Sequence, residues 1–299
     1  MKRSVILYAI ILMGIYGVLS LLDLNSDYVV ERKLWHINRK FLDVAKDPKA
    51  VPPQTFEALA NEYKRIIRQH SKSRAIAGVY VVLGRIYIMK GDLSQARDVL
   101  GEITKLYPDY RELSAEAISL IAKTYELENN WAKARELYQK IIQEYPRTET
   151  GLSTPLYMAN YYQTQNDFRS TMKAYAQAID FYQKLITEQE HSTVEFNSLR
   201  YLANCYVAQN RWMEAIETLK QILIDYPEPQ YLTVQRAELI IKTINAIVVN
   251  QLKNSDIAAD IYKEFMVKYP QHPLNKTLKV VLDRLKENKN PDSQEVSVQ

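Results

Sequence analysis

The chain has 299 residues, 47% of them hydrophobic, and 39 Lys and Arg against 35 Asp and Glu give a net charge of +4. That is too apolar for a disordered chain, and so small and dispersed a basic surplus excludes a nucleic-acid binder recognised by charge. A single cysteine, Cys205, excludes an intramolecular disulfide, a thiolate metal cluster and a Cys-x-x-Cys redox pair, while 7 Gly beside 22 Tyr predict a helical chain with short connections.

Lys2 and Arg3 precede an uncharged, apolar stretch from Ser4 to Leu22 that stops at Asp23. Its nineteen residues, at about 1.5 Å each, reach about 28 Å, enough to span a bilayer. A cleavable signal has a shorter apolar core, and Val18-Leu19-Ser20 is a poor cleavage site. Residues 1–22 are therefore read as a transmembrane anchor, an uncleaved signal; a cleaved signal and a buried soluble helix are the alternatives. Lys2 and Arg3 favour a cytoplasmic N-terminus with the rest exported, although Arg32, Lys33, Arg39 and Lys40 lie close on the other side.

Residues 23–52 read as a juxtamembrane helix near Tyr28 to Lys46 and a linker ending in Val51-Pro52-Pro53. Next, Tyr63-Lys64-Arg65-Ile66-Ile67 echoes Tyr138-Gln139-Lys140-Ile141-Ile142, so Thr55 to His70 is expected to be the second helix of a degenerate opening repeat. Lys64, Arg65, Arg68, Lys72 and Arg74 cluster around its end, as an exposed capping face or as a contact for lipid head groups or an acidic partner.

From there the chain repeats itself. Tyr87, Ala96, Leu100 and Pro108 are spaced nine, four and eight residues apart, as are Tyr125, Ala134, Tyr138 and Pro146, then Tyr206, Ala215, Leu219 and Pro227, then Val249, Ala258, Tyr262 and Pro270. A further unit keeps Tyr162, Thr171 and Tyr175 but has Gln183 in place of proline, so its second helix is expected to run on. The alanine lets two antiparallel helices approach, and the residue four further on shares its face. Gly91, Asn129, Asn166 and Asn210 fall in the connecting turn, where a left-handed backbone suits Gly and Asn. Proline ends the second helix, each time after a tyrosine.

These residues resemble the tetratricopeptide repeat, whose Leu-Gly-x-x-Tyr segment is matched by Leu83-Gly84-Arg85-Ile86-Tyr87. Ala122, Ala159, Ala203 and Ala246 stand at the glycine position in the other units, and Trp131, Phe168 and Trp212, where the family has an aromatic, are read as core. The resemblance implies an all-α fold, helix-turn-helix units in a superhelical solenoid of five to six repeats over residues 53–288, which the apolar stretch places behind an N-terminal transmembrane helix. The units are long, 38 residues from Pro108 to Pro146 and 43 from Pro227 to Pro270, in the style of repeats of bacterial envelope-assembly proteins. Together with the anchor and the Lys2-Arg3 flank, this reads as a single-pass protein of the inner (cytoplasmic) membrane with its repeats on the periplasmic side. Leu274 to Lys286 reads as an amphipathic capping helix, and residues 289–299, without apolar period, as a disordered tail.

Little points to chemistry. His36, His70, His191 and His272 are scattered without zinc-ligand spacing, no phosphate loop, nucleophile elbow or calcium loop occurs, and the many carboxylates read as solvated helix faces. Cys205, between Asn204 and Tyr206, is read as a small buried apolar residue, a reactive thiol being the alternative. The expectation is a protein with no catalytic residue, metal, cofactor or small-molecule substrate.

In this family the first helices line the concave face, which implies a groove presenting Val81, Arg85 and Ile88, then Ser119, Lys123 and Glu126, then Leu156, Asn160 and Gln163, then Arg200, Asn204 and Val207, then Thr243, Ile247 and Asn250. Arg85, Lys123, Asn160, Arg200, Asn204 and Asn250 are the candidate contacts for an extended peptide. Arg200 and Asn204, four apart, resemble the Lys and Asn pair with which some members grip a terminal carboxylate. Charge at Arg85, Lys123 and Arg200 favours an acidic or carboxylate-bearing segment. Two functions fit best, a membrane-anchored scaffold or adaptor for a protein segment in the bacterial envelope, or a permanent structural subunit of a larger membrane complex; a regulatory domain for an enzyme acting on envelope polymers is a weaker third.

Overall fold

The computed structural model describes residues 12–14 and 27–287. Apart from residues 12–14, the apolar Ser4–Leu22 stretch lies outside the described residues, as does the tail read over 289–299. Among the described residues no helix is long and apolar enough to cross a membrane. They form helices without strands, divided between two compact units, residues up to Gly151 and residues from Leu152 onward.

The first unit opens with α1 (Asp27–Lys46), followed by a 3-10 turn (Pro48–Ala50) and α2 (Pro53–Gln69), with Pro53 in the first turn, where its missing N–H costs nothing. Val30, Leu34, Ile37 and Val44 of α1 face inward onto Phe56, Leu59, Tyr63 and Ile66 of α2. The buried Tyr63 hydroxyl donates to Asn38 Oδ1 at 2.7 Å. Two hairpins follow, α3 (Ile76–Lys90) with α4 (Leu93–Leu106) and α5 (Arg111–Leu127) with α6 (Trp131–Glu144). Gly84 of α3 is buried where an added Cβ would stand 2.5 Å from the Leu100 side chain of α4, so glycine sets how closely that pair packs. Arg97 of α4 staples its hairpin to α5, donating to Thr124 Oγ1 (3.1 Å) and Glu128 Oε1 (2.9 Å) and lying over the Tyr125 ring.

α7 (Glu149–Thr164) leads into the second unit, which continues with α8 (Phe168–Glu188), α9 (Thr193–Ala208), α10 (Trp212–Asp225), α11 (Val234–Ala246), a π turn (Ile247–Gln251), α12 (Asp256–Lys268) and α13 (Asn275–Glu287). One continuous core runs from Ala159 through Tyr182, Phe196, Leu219 and Phe265 to Leu278 and Leu285 of α13. Lacking a terminal proline, α8 runs through Gln183 to Glu188.

The repeat signature has a direct physical cause. At the ends of α3, α5, α7 and α9, the residues Gly91, Asn129, Asn166 and Asn210 take positive φ. Each donates its N–H three residues back, and its successor donates to the carbonyl of Tyr87, Tyr125, Tyr162 or Tyr206 at 2.8 to 3.1 Å. This closes a Schellman turn and satisfies the last carbonyls. Ala96, Ala134, Ala215 and Ala258 are fully enclosed between paired helices. The tyrosine before each proline caps its helix, and the ring packs within its unit: Tyr107 on Tyr80, Tyr145 under Arg111, Tyr226 on Phe196, Tyr269 on Phe265.

Three expectations need correction. Phe168 is 79% exposed, because the buried stripe of α8 begins only at Ala174 and its first turn projects past the core. Ala246 is exposed and Ile247 buried, the reverse of the expected register in the last hairpin. The π turn adds one residue: Asn254 N–H reaches Val248 six residues back, where the other hairpins span five, and Val248 takes the buried site. One extra residue rotates the upstream helix by roughly 100° against the repeat frame. Val81, expected to face a groove, is buried in the core between α4 and α5.

Candidate peptide-binding faces

In the first unit the outward face of α3 and α5 carries Arg85 and Lys123, both exposed. Neither cation stands alone: Arg85 Nη2 pairs with Glu116 Oε1 across the two helices, and Lys123 Nζ pairs with Glu126 Oε2, both at 2.5 Å. Glu126 also accepts from the Tyr138 hydroxyl at 2.8 Å, so the second helix orients a carboxylate on the first. The pattern recurs in the second unit, where the Tyr175 hydroxyl donates to Asn160 Oδ1 (2.7 Å) and Gln163 Oε1 (3.0 Å). Tyr262 likewise donates to Asn245 Oδ1 at 2.9 Å. Buried phenols require an acceptor, and first-helix polar side chains supply it while their outer atoms stay at the surface. Leu100 and Leu219 hold this position in the other hairpins and make no such bond.

In the second unit Asn160 and Asn204 are exposed and Arg200 is half-buried, its guanidinium over the Phe196 ring and bonded to Asn197 Oδ1 at 3.0 Å. That engagement turns Arg200 along its own helix. Asn250 lies elsewhere, on the wall of an open depression of about 310 Å³ with Val207, Trp212, Leu239, Lys242, Thr243, Ala246, Ile247 and Gln251. Its floor is apolar and its rim carries one ammonium, two amides and a hydroxyl. Of the expected groove residues, the structure brings Val207, Thr243, Ile247 and Asn250 together here; Arg200 and Asn204 do not line it. Leu239, Lys242, Ala246 and Gln251 were missed because the π turn moves them onto this face, and Trp212 because it is both core and wall. The only signal in the sequence was the excess length of the last unit.

Among the described residues no group of three or more His, Cys, Asp or Glu is placed to hold a metal ion. Cys205 is fully buried, and desolvation pushes its thiol up to about 12. A raised pKa leaves almost no thiolate near neutral pH. The folded protein should therefore resist a thiolate-seeking reagent such as Ellman's at pH 7.5 and react stoichiometrically in urea; rapid labelling of folded protein would contradict this packing.

Two sequence profiles, both described as tetratricopeptide repeat, match the chain, one over residues 171–238 and the other over 79–110 and 116–148. These segments fall on the hairpins whose turns, alanines and terminal tyrosines are described above. The chain is a tetratricopeptide-repeat protein. No curated protein matches its sequence. Similar solved structures include BtubC (BKLC) from P. vanneervenii, at 14% identity over 88% of this chain and 96% of that one, TM-score 0.44. A tetratricopeptide repeat protein from Parabacteroides merdae ATCC 43184 matches at 13% identity over 85% and 99%, TM-score 0.37. The APC/C hetero-tetramer Cut9-Hcn1 matches at 15% identity over 89% of this chain and 55% of the other, TM-score 0.31. The repeats indicate a protein-protein interaction scaffold, and its candidate contacts are the first-helix faces.

Proposed function

We propose that this tetratricopeptide-repeat chain is a membrane-anchored adaptor of the bacterial envelope, single-pass in the inner membrane, that binds an extended protein segment on its first-helix faces. The observation that carries this reading is the depression beside the π turn. Val207, Trp212, Leu239 and Ala246 offer an apolar seat for one inserted side chain, and the amides of Asn250 and Gln251 offer donors and acceptors to a backbone passing over it. Lys242 on the rim, with Arg200 on the preceding first helix, favours a segment bearing a carboxylate. A π turn costs regular hydrogen bonding, and such turns recur where a helix shapes a site.

The reading predicts that the double variant Arg200→Glu/Lys242→Glu loses most partner recovered with tagged protein from detergent-solubilised membranes, with the melting temperature within a few degrees of wild type. Lys133→Glu/Lys140→Glu, on a second helix, should recover it normally. The opposite pattern would place binding on the second helices. A specific observation favours a second reading, a permanent subunit of a larger complex: Phe168, Met172, Met213 and Val267 expose apolar surface on the second helices of the second unit. A subunit would arrive with stoichiometric partners and depend on those residues; an adaptor would arrive mostly alone.

A further inference from the structure

We propose that the outer stripe of α1, formed by Arg32, Trp35, Arg39, Leu42 and Lys46, is a membrane-contact face that lies on anionic phospholipid head groups. The inference rests on the anchored reading above and adds how the first unit meets the bilayer.

α1 buries one side completely, through Val30, Leu34, Ile37 and Val44. A helix so packed would ordinarily be polar on its other side. Here the opposite side carries Trp35, 55% exposed, and Leu42, 58% exposed. They are seven residues apart and so on one line, with Arg32, Arg39 and Lys46 alternating between and beyond them at spacings of three and four. The Arg39 guanidinium lies 5.1 Å from the Trp35 ring centre, and Lys46 holds Asp43 at 2.7 Å; Glu31 borders the stripe on the other side. An exposed indole, a leucine and three long cations are the side chains that partition to the bilayer interface, where the ring and stems sit at the acyl boundary and the charges stay among phosphates.

Two further observations choose lipid over a protein partner. The stripe begins within ten residues of Leu22, the end of the apolar stretch. If that stretch enters the membrane, the chain from Leu22 to Asp27 can extend no more than roughly 17 Å, so the start of α1 is held near the surface. Charge agrees. From Tyr63 to Gly91 there is no Asp or Glu but seven Lys and Arg; Arg85 and Lys90 are paired with Glu116, Glu57 and Asp92, which leaves Lys64, Arg65, Arg68, Lys72 and Arg74 clustered about the end of α2. The Lys33 ammonium lies 3.0 Å from His70 Nε2, which brings the end of α2, with exposed Arg68 and the following Lys72 and Arg74, against α1. This part of the unit thus projects a positive field complementary to an anionic surface.

The test uses the full chain carrying Trp131→Phe and Trp212→Phe, which leaves Trp35 as its one tryptophan. It is reconstituted into phosphatidylcholine vesicles with and without phosphatidylglycerol, using acyl chains brominated or not. The proposal expects flotation with both compositions, and with anionic lipid a blue-shifted Trp35 emission that bromine roughly halves. The triple variant Arg32→Glu/Arg39→Glu/Lys46→Glu should still float but lose the quenching. Flotation with unquenched Trp35 overturns the contact while leaving the anchor standing. Failure to float overturns both. Quenching that ignores anionic lipid and the triple variant overturns the head-group assignment, and a blue shift without lipid in a chain of doubled mass assigns the stripe to a second copy instead. Should the Phe variants unfold, a nitroxide on Leu42→Cys in the otherwise native chain, where Cys205 is buried, reads the same depth.

Discussion

Replacing Phe265 with alanine should destabilise the second unit by about 3–5 kcal/mol, the range for emptying a fully enclosed phenyl site. Phe265 has no exposed surface and packs at 5.1 Å from both the Tyr269 and His272 rings, in the core that Leu278 and Leu285 of α13 close. Its ring therefore links the last hairpin to the helix that caps it, and the cavity would be walled by side chains already fixed by packing. Val267, two residues on and 82% exposed, is the control: Val267→Ala should move stability by no more than about 0.5 kcal/mol. Urea titration followed by amide exchange in α12 and α13 measures both. Equal losses would mean that the buried stripe of α12 is misassigned.

Ala134→Leu should cost about 1–3 kcal/mol by overpacking. Ala134 is enclosed where α6 meets α5, with Tyr138 and Ile141 below it on the same stripe, so three added carbons must displace a helix or force poor rotamers. Ala132→Leu, at an exposed position of the same helix, changes only solvent-facing surface and should be near neutral. Thermal denaturation separates the two. Equal shifts would put the spacing of nine, four and eight in the wrong register.

How far the sequence disclosed this molecule depends on whether a feature is written in residue types. The turns were legible because a left-handed residue is cheap only for Gly and Asn, and Gly91, Asn129, Asn166 and Asn210 all take that conformation. The enclosed alanines were legible because only a small side chain allows helices that close. The last hairpin was not, because Lys253 takes the left-handed position with no residue-type signal, and the π turn before it leaves none either. That one-residue slip misplaced Ile247 and hid Leu239 and Lys242 from the groove. Phe168 misled for a related reason: its position in the motif is standard, but whether a first turn meets the core depends on where its partner helix ends.

Charge was legible as exposure and not as pairing. Arg85 and Lys123 do stand at the surface; the Lys123–Glu126 pair, three apart on one helix, is legible in the spacing, but the Arg85–Glu116 pair depends on how closely two helices pack, which no spacing in sequence reports. The Arg85–Glu116 pair is exposed enough to contribute little to stability, typically well under about 1 kcal/mol, whereas the Glu126 side chain is buried between Lys123 and the Tyr138 hydroxyl. The exposed pair leaves Arg85 available to a competing carboxylate. The division at Gly151 and Leu152 likewise has no marker in composition, since helices continue on either side with the same alternation of apolar and polar residues.

The most direct test of the adaptor account is site-specific photo-crosslinking in intact membranes, with a benzophenone amino acid placed at Leu239, on the wall of the depression, or at Lys140, on a second helix. The account predicts one discrete adduct from Leu239, lost in the Arg200→Glu/Lys242→Glu background, and none from Lys140. A discrete adduct from Lys140 with none from Leu239 would contradict it.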